Sequence, residues 1–441
     1  MQANKKLQLF DFTMIVVGLV IGMGIFRTAA TSAQYAIDSS VFFAAWIAGG
    51  FIALCGALTY AEIGSRFSVT GGYYRVFSYA YHPSIAFAIN CVILISNAAS
   101  LSGVALIGSG YISQVVFGAA ATDTTKALIA TGAVVVFYGV NLMGLRMSAK
   151  TQTVLMVIKI SMILMLIAAL FMPSIHFTGA NDMVNKELGN ISWIQSFGMS
   201  LIAVSFTYGG YQQTINFGNE VDKPAKNIPR GIFFGIAIII SLYLLVNMAY
   251  YKVIGFESLG KEKEIASIVA GKMFGATGAS IFSGLLFLSV LAYVNVLLMS
   301  NPRVMFAMSE DGTLPAIFQR KTGKQDVLVV SLTAFAAICI VILFFSQEFE
   351  AILNFSIFLD CFGMAASAAT IFFLRKRTKH LDGTGIYQMK LYPLLPLIFI
   401  AAYLFVGTSI VIQTPRIALT AFLVLASFML LYFLTRSRQK K

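Results

Sequence analysis

The chain alternates long apolar runs with short polar ones. Runs of about 20 residues, the length that carries a helix across a bilayer, recur from end to end. Twelve are predicted as spans: residues 10–36, 41–65, 84–117, 126–144, 150–172, 194–221, 230–255, 269–307, 327–346, 350–374, 391–412 and 416–435. The third and eighth are long, which predicts tilt or extension past the bilayer. Two runs are broken internally. The first reads VGLVIGMGIF from Val17 to Phe26, interrupted by Gly22 and Gly24, and the sixth is interrupted at Thr207-Tyr208-Gly209-Gly210. Lipid cannot hydrogen-bond a free backbone N–H or C=O, so broken helix persists only inside protein or along a cavity. Two such breaks, well apart in one chain, point to a binding site of the kind transporters build.

Composition agrees with this pattern. The chain is 58% hydrophobic and 11% charged, against about 25% charged in an ordinary soluble domain. Its 441 residues therefore read as one all-α integral membrane domain and not as several soluble ones. No cleavable signal peptide is expected, because the first run is too long and others follow it. The net charge of +13 does not point to nucleic acid, since the basic residues sit in short loops without interleaved aromatics. They read as topology determinants. With a cytoplasmic N-terminus, 22 of the 31 basic residues fall at inside loops, tails and span ends and seven fall outside. Arg27 and Lys159 lie within spans. That threefold excess predicts an even span number with both termini cytoplasmic; the expected location is a plasma or inner membrane. The longest outer loop lies near 173–193. The run Arg375–Lys379 reads as a cytoplasmic anchor, with a lipid-headgroup site as the alternative. Cys55, Cys91, Cys339 and Cys361 fall inside apolar runs, without disulfide or metal-ligand spacing. No metal or cofactor is called for. The bilayer is the expected partner, and no accessory subunit can be inferred.

The breaks fall in the first and sixth spans. This fits two five-span halves of opposite orientation, about 10–172 and 194–374, followed by two additional helices at about 391–435.

Ordered motifs sharpen the picture. Gly22-Met-Gly-Ile-Phe26, Tyr60-Ala-Glu-Ile-Gly64, Thr70-Gly-Gly-Tyr73, Phe206-Thr-Tyr-Gly-Gly-Tyr211, Glu220 to Arg230 (EVDKPAKNIPR), and Pro302-Arg303 through Asp311-Gly-Thr-Leu-Pro315 occur in sequence on successive spans. Together they resemble the amino acid–polyamine–organocation transporters, most closely the L-type amino acid transporter branch. The departures are Met23 for the usual serine, and Lys223 and Lys226 in the sixth-span pattern. The resemblance implies a LeuT-like 5+5 inverted-repeat fold with unwound helices 1 and 6. It also implies an α-amino acid held at the two breaks and exposed to each side in turn.

A zwitterion needs donors for its carboxylate and acceptors for its ammonium. The N–H groups of Met23, Gly24 and Ile25 open the outer half-helix, whose positive dipole end suits a carboxylate. The carbonyls of Val20, Ile21 and Gly22 suit an ammonium, completed by those of Phe206 and Thr207. Glycine at 22, 24, 209 and 210 lets backbone approach ligand closely, although small-residue helix packing competes as an explanation. The resemblance places Phe206 over the substrate as a gate. Tyr208, Tyr211 and Gln212 are candidates for the side-chain pocket. Asn97, Ser100, Ser102, Gly103 and Gly108 make part of the third span small and polar, as pocket wall or as tight packing. Asn295 matches a family asparagine, and either lines the pocket or bonds a neighbouring helix.

Lys159 stands deep within the fifth span, where an ionisable group is expensive and points to function. The resemblance places it where sodium-coupled relatives bind their cation, so that it makes bound sodium unnecessary. An amine that gave up its charge there would instead carry a coupled proton. Arg27 and Asp360 lie outside the L-type pattern. Related sodium-coupled neurotransmitter transporters use an arginine just past the first break and a tenth-helix aspartate as an outer gate. Arg27 and Asp360 are therefore expected to approach when the outer path closes, with separate partners as the alternative. Glu62 and Glu220 are expected to organise an inner gate with cations such as Arg66 or Arg230.

The resulting expectation is a secondary transporter of neutral L-amino acids, working by sodium-independent exchange. Proton-coupled symport and a non-transporting amino acid sensor are the alternatives. A membrane enzyme would need a clustered acid, histidine or metal site, and no such cluster is visible; no ATP-binding motif is present either.

Overall fold

The computed structural model describes residues 6–22, 24–118, 122–172, 191–262, 264–323, 325–345, 349–413 and 415–439. Among them the chain is helical. In order the helices are α1 (Leu9–Val20), α2 (Gly24–Tyr35), α3 (Ser39–Arg66), α4 (Gly72–Ala80), α5 (Pro83–Phe117), α6 (Asp123–Leu142) and α7 (Leu145–Ala168). They continue as α8 (Trp193–Tyr208), α9 (Pro224–Ile254), α10 (Phe256–Leu259), α11 (Ile265–Glu310), α12 (Val329–Phe345), α13 (Phe349–Arg377), α14 (Leu394–Gln413) and α15 (Pro415–Gln439).

Eight of these helices are long and apolar enough to cross a membrane, counting Leu9–Tyr35 across its break, and three shorter apolar helices accompany them. The shorter ones fall where the sixth, ninth and twelfth spans are expected. The sixth is short for a local reason: the chain leaves the α-helix after Tyr208 and resumes as a 3₁₀ helix, Tyr211–Asn216. The long eighth run is not one straight rod, because Gly275 interrupts α11 with a φ of 72°.

Helix ends follow their local chemistry. The Asp38 carboxylate accepts from the Val41 N–H at 2.9 Å and starts α3. Pro224 opens α9, where its missing N–H costs nothing. Gly255, at φ 85°, ends the same helix by returning its N–H to the Tyr251 carbonyl.

The first span lies at the centre. Every residue of α1 from Phe12 to Val20 is buried, as expected of a helix apolar all round, and it packs against α7, α9 and α11. The outer helices turn their apolar side chains outward: Leu128 and Val136 on α6, Val154 and Val157 on α7, and Leu419 and Leu423 on α15 are exposed. α14 covers α3 and α13, and α15 covers α5.

Candidate functional site

The first break is real and narrow. α1 ends at Val20 and α2 begins at Gly24. Ile21 leaves helical geometry at ψ 84°, and the Gly22 N–H turns back to the Val20 carbonyl at 2.8 Å. The first N–H groups of α2, beginning with Gly24 and Ile25, have no acceptor within their own helix. Met23 lies outside the described residues.

The second break meets it. Gly210 has a φ of 112°, and a Cβ there would stand 2.1 Å from the Leu19 carbonyl oxygen. A Cβ on Gly24 would stand 2.9 Å from Thr207 Cγ2. Both glycines are therefore places of close backbone approach between the two interruptions. Gly209 completes the break, and the Gln212 side chain accepts from the Gly210 N–H at 2.9 Å. Tyr243 on α9 spans the junction: its hydroxyl donates towards the carbonyls of Val20 and Thr207, each at 3.4 Å. Behind it, Trp46, Tyr208 and Tyr243 pack ring against ring at 5.1–5.9 Å. The Phe206 side chain lies outside the described residues.

Lys159 is fully buried on α7, and its Nζ donates to the Ile21 carbonyl at 2.5 Å. A charge on one helix thus holds a carbonyl that the first break releases. Snorkelling to the membrane surface is not what this side chain does.

Asn295 is placed in a helix-to-helix network. It accepts from Asn141 at 3.0 Å and donates to Gln152 Oε1 at 2.9 Å and to the Ser148 carbonyl at 3.1 Å, linking α11 to α6 and α7. Asn97 belongs to a second network, bonded to Asn301 at 2.7 Å and to Gln213 at 3.1 Å. Ser100 faces Tyr293 of α11, with the hydroxyls 2.9 Å apart. The Tyr293 ring lies 3.6 Å from where a Gly22 Cβ would be.

Arg27 and Asp360 are not brought together. Among the described residues no ion pair joins them. Arg27 is exposed on α2, whereas Asp360 is half-buried on α13.

The family model for amino acid permeases matches residues 7–434. The chain belongs to the amino acid permease family. Within it, this permease is 26% identical over 437 residues to the serine/threonine exchanger SteT of Bacillus subtilis (strain 168), covering 97% of this chain and 96% of that one. It is 26% identical to the human cystine/glutamate transporter, over 85% of this chain and 74% of the other. It is 24% identical to the human large neutral amino acids transporter small subunit 2, over 90% and 74% respectively. These relatives are membrane transporters of the amino acid–polyamine–organocation superfamily and not enzymes.

The face of the permease that carries Lys6, Arg66 and Arg375 is held by ionic and backbone clamps. Glu62, with 0% exposure, accepts from Arg66 Nε, Arg375 Nε and Arg375 Nη2, each at 2.7 Å, and from the Met389 N–H at 2.9 Å. Arg66 also reaches Asp382 at 2.8 Å. Four donors satisfy one buried carboxylate, so α3, α13 and the segment before α14 are locked together. Arg375 is thereby more than the surface anchor that its basic run suggests. Glu220 pairs at 2.6 Å with Arg303 of α11, and not with Arg230. A 3₁₀ turn at 218–220 points Glu220 at the eighth span, a direction that spacing along the chain does not reveal. Beside this pair a cavity of about 1150 Å³ opens, lined by Asn141, Ser148, Glu220, Met299, Arg303 and Lys321 among others.

Backbone pairing completes this face of the permease. The Leu7 N–H donates to the Glu220 carbonyl at 2.7 Å, and the Asp222 N–H to the Leu7 carbonyl at 2.9 Å. On the other edge the Gly71 N–H donates to the Asn216 carbonyl at 3.0 Å. At the opposite end, Ser200 joins Ser32 at 2.7 Å, and Ser196 both accepts from the Ile37 N–H at 2.9 Å and donates to the Tyr35 carbonyl at 2.8 Å, tying α8 to α2. Tyr243, Tyr293 and Leu7 carry no signal of their own in the sequence: the tyrosines stand in apolar helices, and Leu7 lies in the short segment before α1.

Proposed function

We propose that this permease exchanges neutral L-amino acids across the cell membrane by alternating access, without sodium. The observation that carries the reading is the meeting of the two glycine breaks, Gly210 against Leu19 and Gly24 against Thr207. There the N–H groups opening α2 take the substrate carboxylate, helped by the helix dipole. The carbonyls of Val20, Phe206 and Thr207 take its ammonium. Lys159 occupies the Ile21 carbonyl and braces α1 against α7, a position that a sodium ion would fill in coupled carriers. In this reading the chain crosses the membrane twelve times, with 10–172 and 194–374 as inverted halves and both termini in the cytoplasm. The break positions and the excess of 22 basic residues against seven support that arrangement. The likeness to a serine/threonine exchanger over nearly the whole chain supports exchange.

Proton-coupled symport is the second reading. It is favoured by the isolation of Lys159, whose ammonium is bonded to a carbonyl and has no carboxylate partner among the described residues. Purified protein in liposomes separates the two. Exchange requires internal amino acid for labelled uptake and is unchanged when choline replaces sodium. Uptake into empty vesicles driven by an inward proton gradient would replace exchange with symport. Ligand binding without counterflow would show a sensor.

A further inference from the structure

The opening beside the Glu220–Arg303 pair has no part in holding an amino acid at the two breaks. Its volume is about 1150 Å³, against roughly 300–1,000 Å³ for an ordinary small-molecule pocket. Among the described residues, none from either break lines it. Asn141, Ser148 and Met299, all buried, form its inner end, and Lys6, Arg146 and Lys321, all exposed, form its mouth.

The charges facing this cavity do not balance. Arg303 is spent on Glu220 at 2.6 Å and on the Met299 carbonyl. Lys6, Arg146 and Lys321 then stand against Asp326 alone, and among the described residues no ion pair engages any of the four. A cleft with an excess of one sign focuses its field on the opposite charge. Lysine and arginine are the side chains that bind phosphate oxygens. A zwitterion has no net charge and leaves the excess unanswered, and inorganic phosphate alone is too small to fill the space.

The three cations also belong to different parts of the permease. Lys6 adjoins Leu7, whose backbone is bonded to residues 220 and 222. Arg146 lies in the first turn of α7, and Lys321 lies between α11 and α12. An anion bridging Lys6 to Arg146 or Lys321 fastens the lead-in of α1 to neighbours that α1 must move against in alternating access. A ligand that binds one state better shifts the population towards it.

We infer that this cavity is a regulatory site for a phosphate ester, and that the bound anion slows exchange by holding the segment before α1 to α7 and to the segment ahead of α12. The slowing rests on the exchange reading; the binding does not. The phosphate comes from a soluble nucleotide or from a lipid headgroup, and two probes tell these apart.

The test is calorimetric titration of the purified permease in detergent with magnesium-free ATP and with short-chain phosphatidylglycerol. Exchange is measured beside it in phosphatidylcholine liposomes with each probe added. The wild type is expected to bind ATP, less tightly as salt is raised, and to exchange more slowly when ATP is present. Arg146→Gln combined with Lys321→Gln should weaken binding at least about tenfold and relieve the slowing, with exchange in the absence of probe unchanged. Arg146→Lys combined with Lys321→Arg keeps both charges and should keep the binding. The same pattern with phosphatidylglycerol and not with ATP makes the ligand a lipid headgroup. Binding of neither probe, or equal affinity for both probes in the wild type and the glutamine variant, overturns the site, and binding without slower exchange overturns the regulation. If the wild type exchanges no amino acid, the exchange reading fails, and the titrations still decide the site.

Discussion

Replacing Gly210 by alanine tests the core of the argument. Two penalties arise at this position. A φ of 112° lies outside the regions open to L-residues, and holding alanine there costs about 1–3 kcal/mol. The new Cβ would also stand 2.1 Å from the Leu19 carbonyl oxygen, more than about 1 Å inside van der Waals contact. Backbone lies on both sides of that clash, so no side chain can swing away to relieve it. The two breaks must separate, and the substrate groups are no longer held together. If the full penalty is relieved by widening the site, affinity falls by about 5- to 150-fold, since each 1.4 kcal/mol is a factor of ten. The assay is the half-saturation concentration for amino acid exchange in liposomes, alongside the unfolding temperature in detergent. Gly132→Ala is the control: it lies within α6, has nothing within 4 Å of its Cβ position and should behave as wild type. A Gly210→Ala protein with wild-type half-saturation would refute the claim that the meeting of the breaks forms the site.

Lys159→Ala should abolish exchange and lower the unfolding temperature, because the Ile21 carbonyl loses its buried donor, at a cost of about 1–3 kcal/mol; exchange at wild-type rate would remove Lys159 from the mechanism. Glu62→Gln breaks a carboxylate shared by Arg66 and Arg375 at 0% exposure and should cost about 3–5 kcal/mol, read as loss of monodisperse protein on size-exclusion chromatography. Tyr243→Phe removes two long hydrogen bonds and should cost about 1 kcal/mol or less. It should raise the half-saturation concentration more than it lowers the unfolding temperature, and the reverse pattern would make Tyr243 a packing residue only.

Much of the helical layout was legible because lipid imposes a simple rule. An exposed peptide group is costly in hydrocarbon, so helices declare themselves as apolar runs, and α3, α5, α7, α9 and α14 lie where those runs do. The breaks were legible for the same reason: Gly22, Gly24, Gly209 and Gly210 interrupt runs that otherwise have no cause to stop. Lys159 stood out as the one charge deep in its run. Pairings across space were not legible. Glu220 and Arg303 are far apart in sequence and meet only through a 3₁₀ turn, and Arg230 nearby in sequence was the wrong partner. Asn295 carried two readings that only its surroundings could separate, and its amide is spent on α6 and α7. Tyr243 and Tyr293 act through one hydroxyl each, which composition cannot distinguish from ordinary apolar packing.

The Leu7 backbone pairing has a mechanical consequence. Leu7 stands just before α1, and residues 220–222 close the stretch that follows the second break. Two backbone hydrogen bonds stitch them, so a swing of α1 about Gly22 drags the tail of the sixth segment along or tears both stitches. The serine ties between α2 and α8 impose the same partnership on the other halves. Under the proposed alternating access, the glycines serve as the pin of a single door, and neither leaf turns alone.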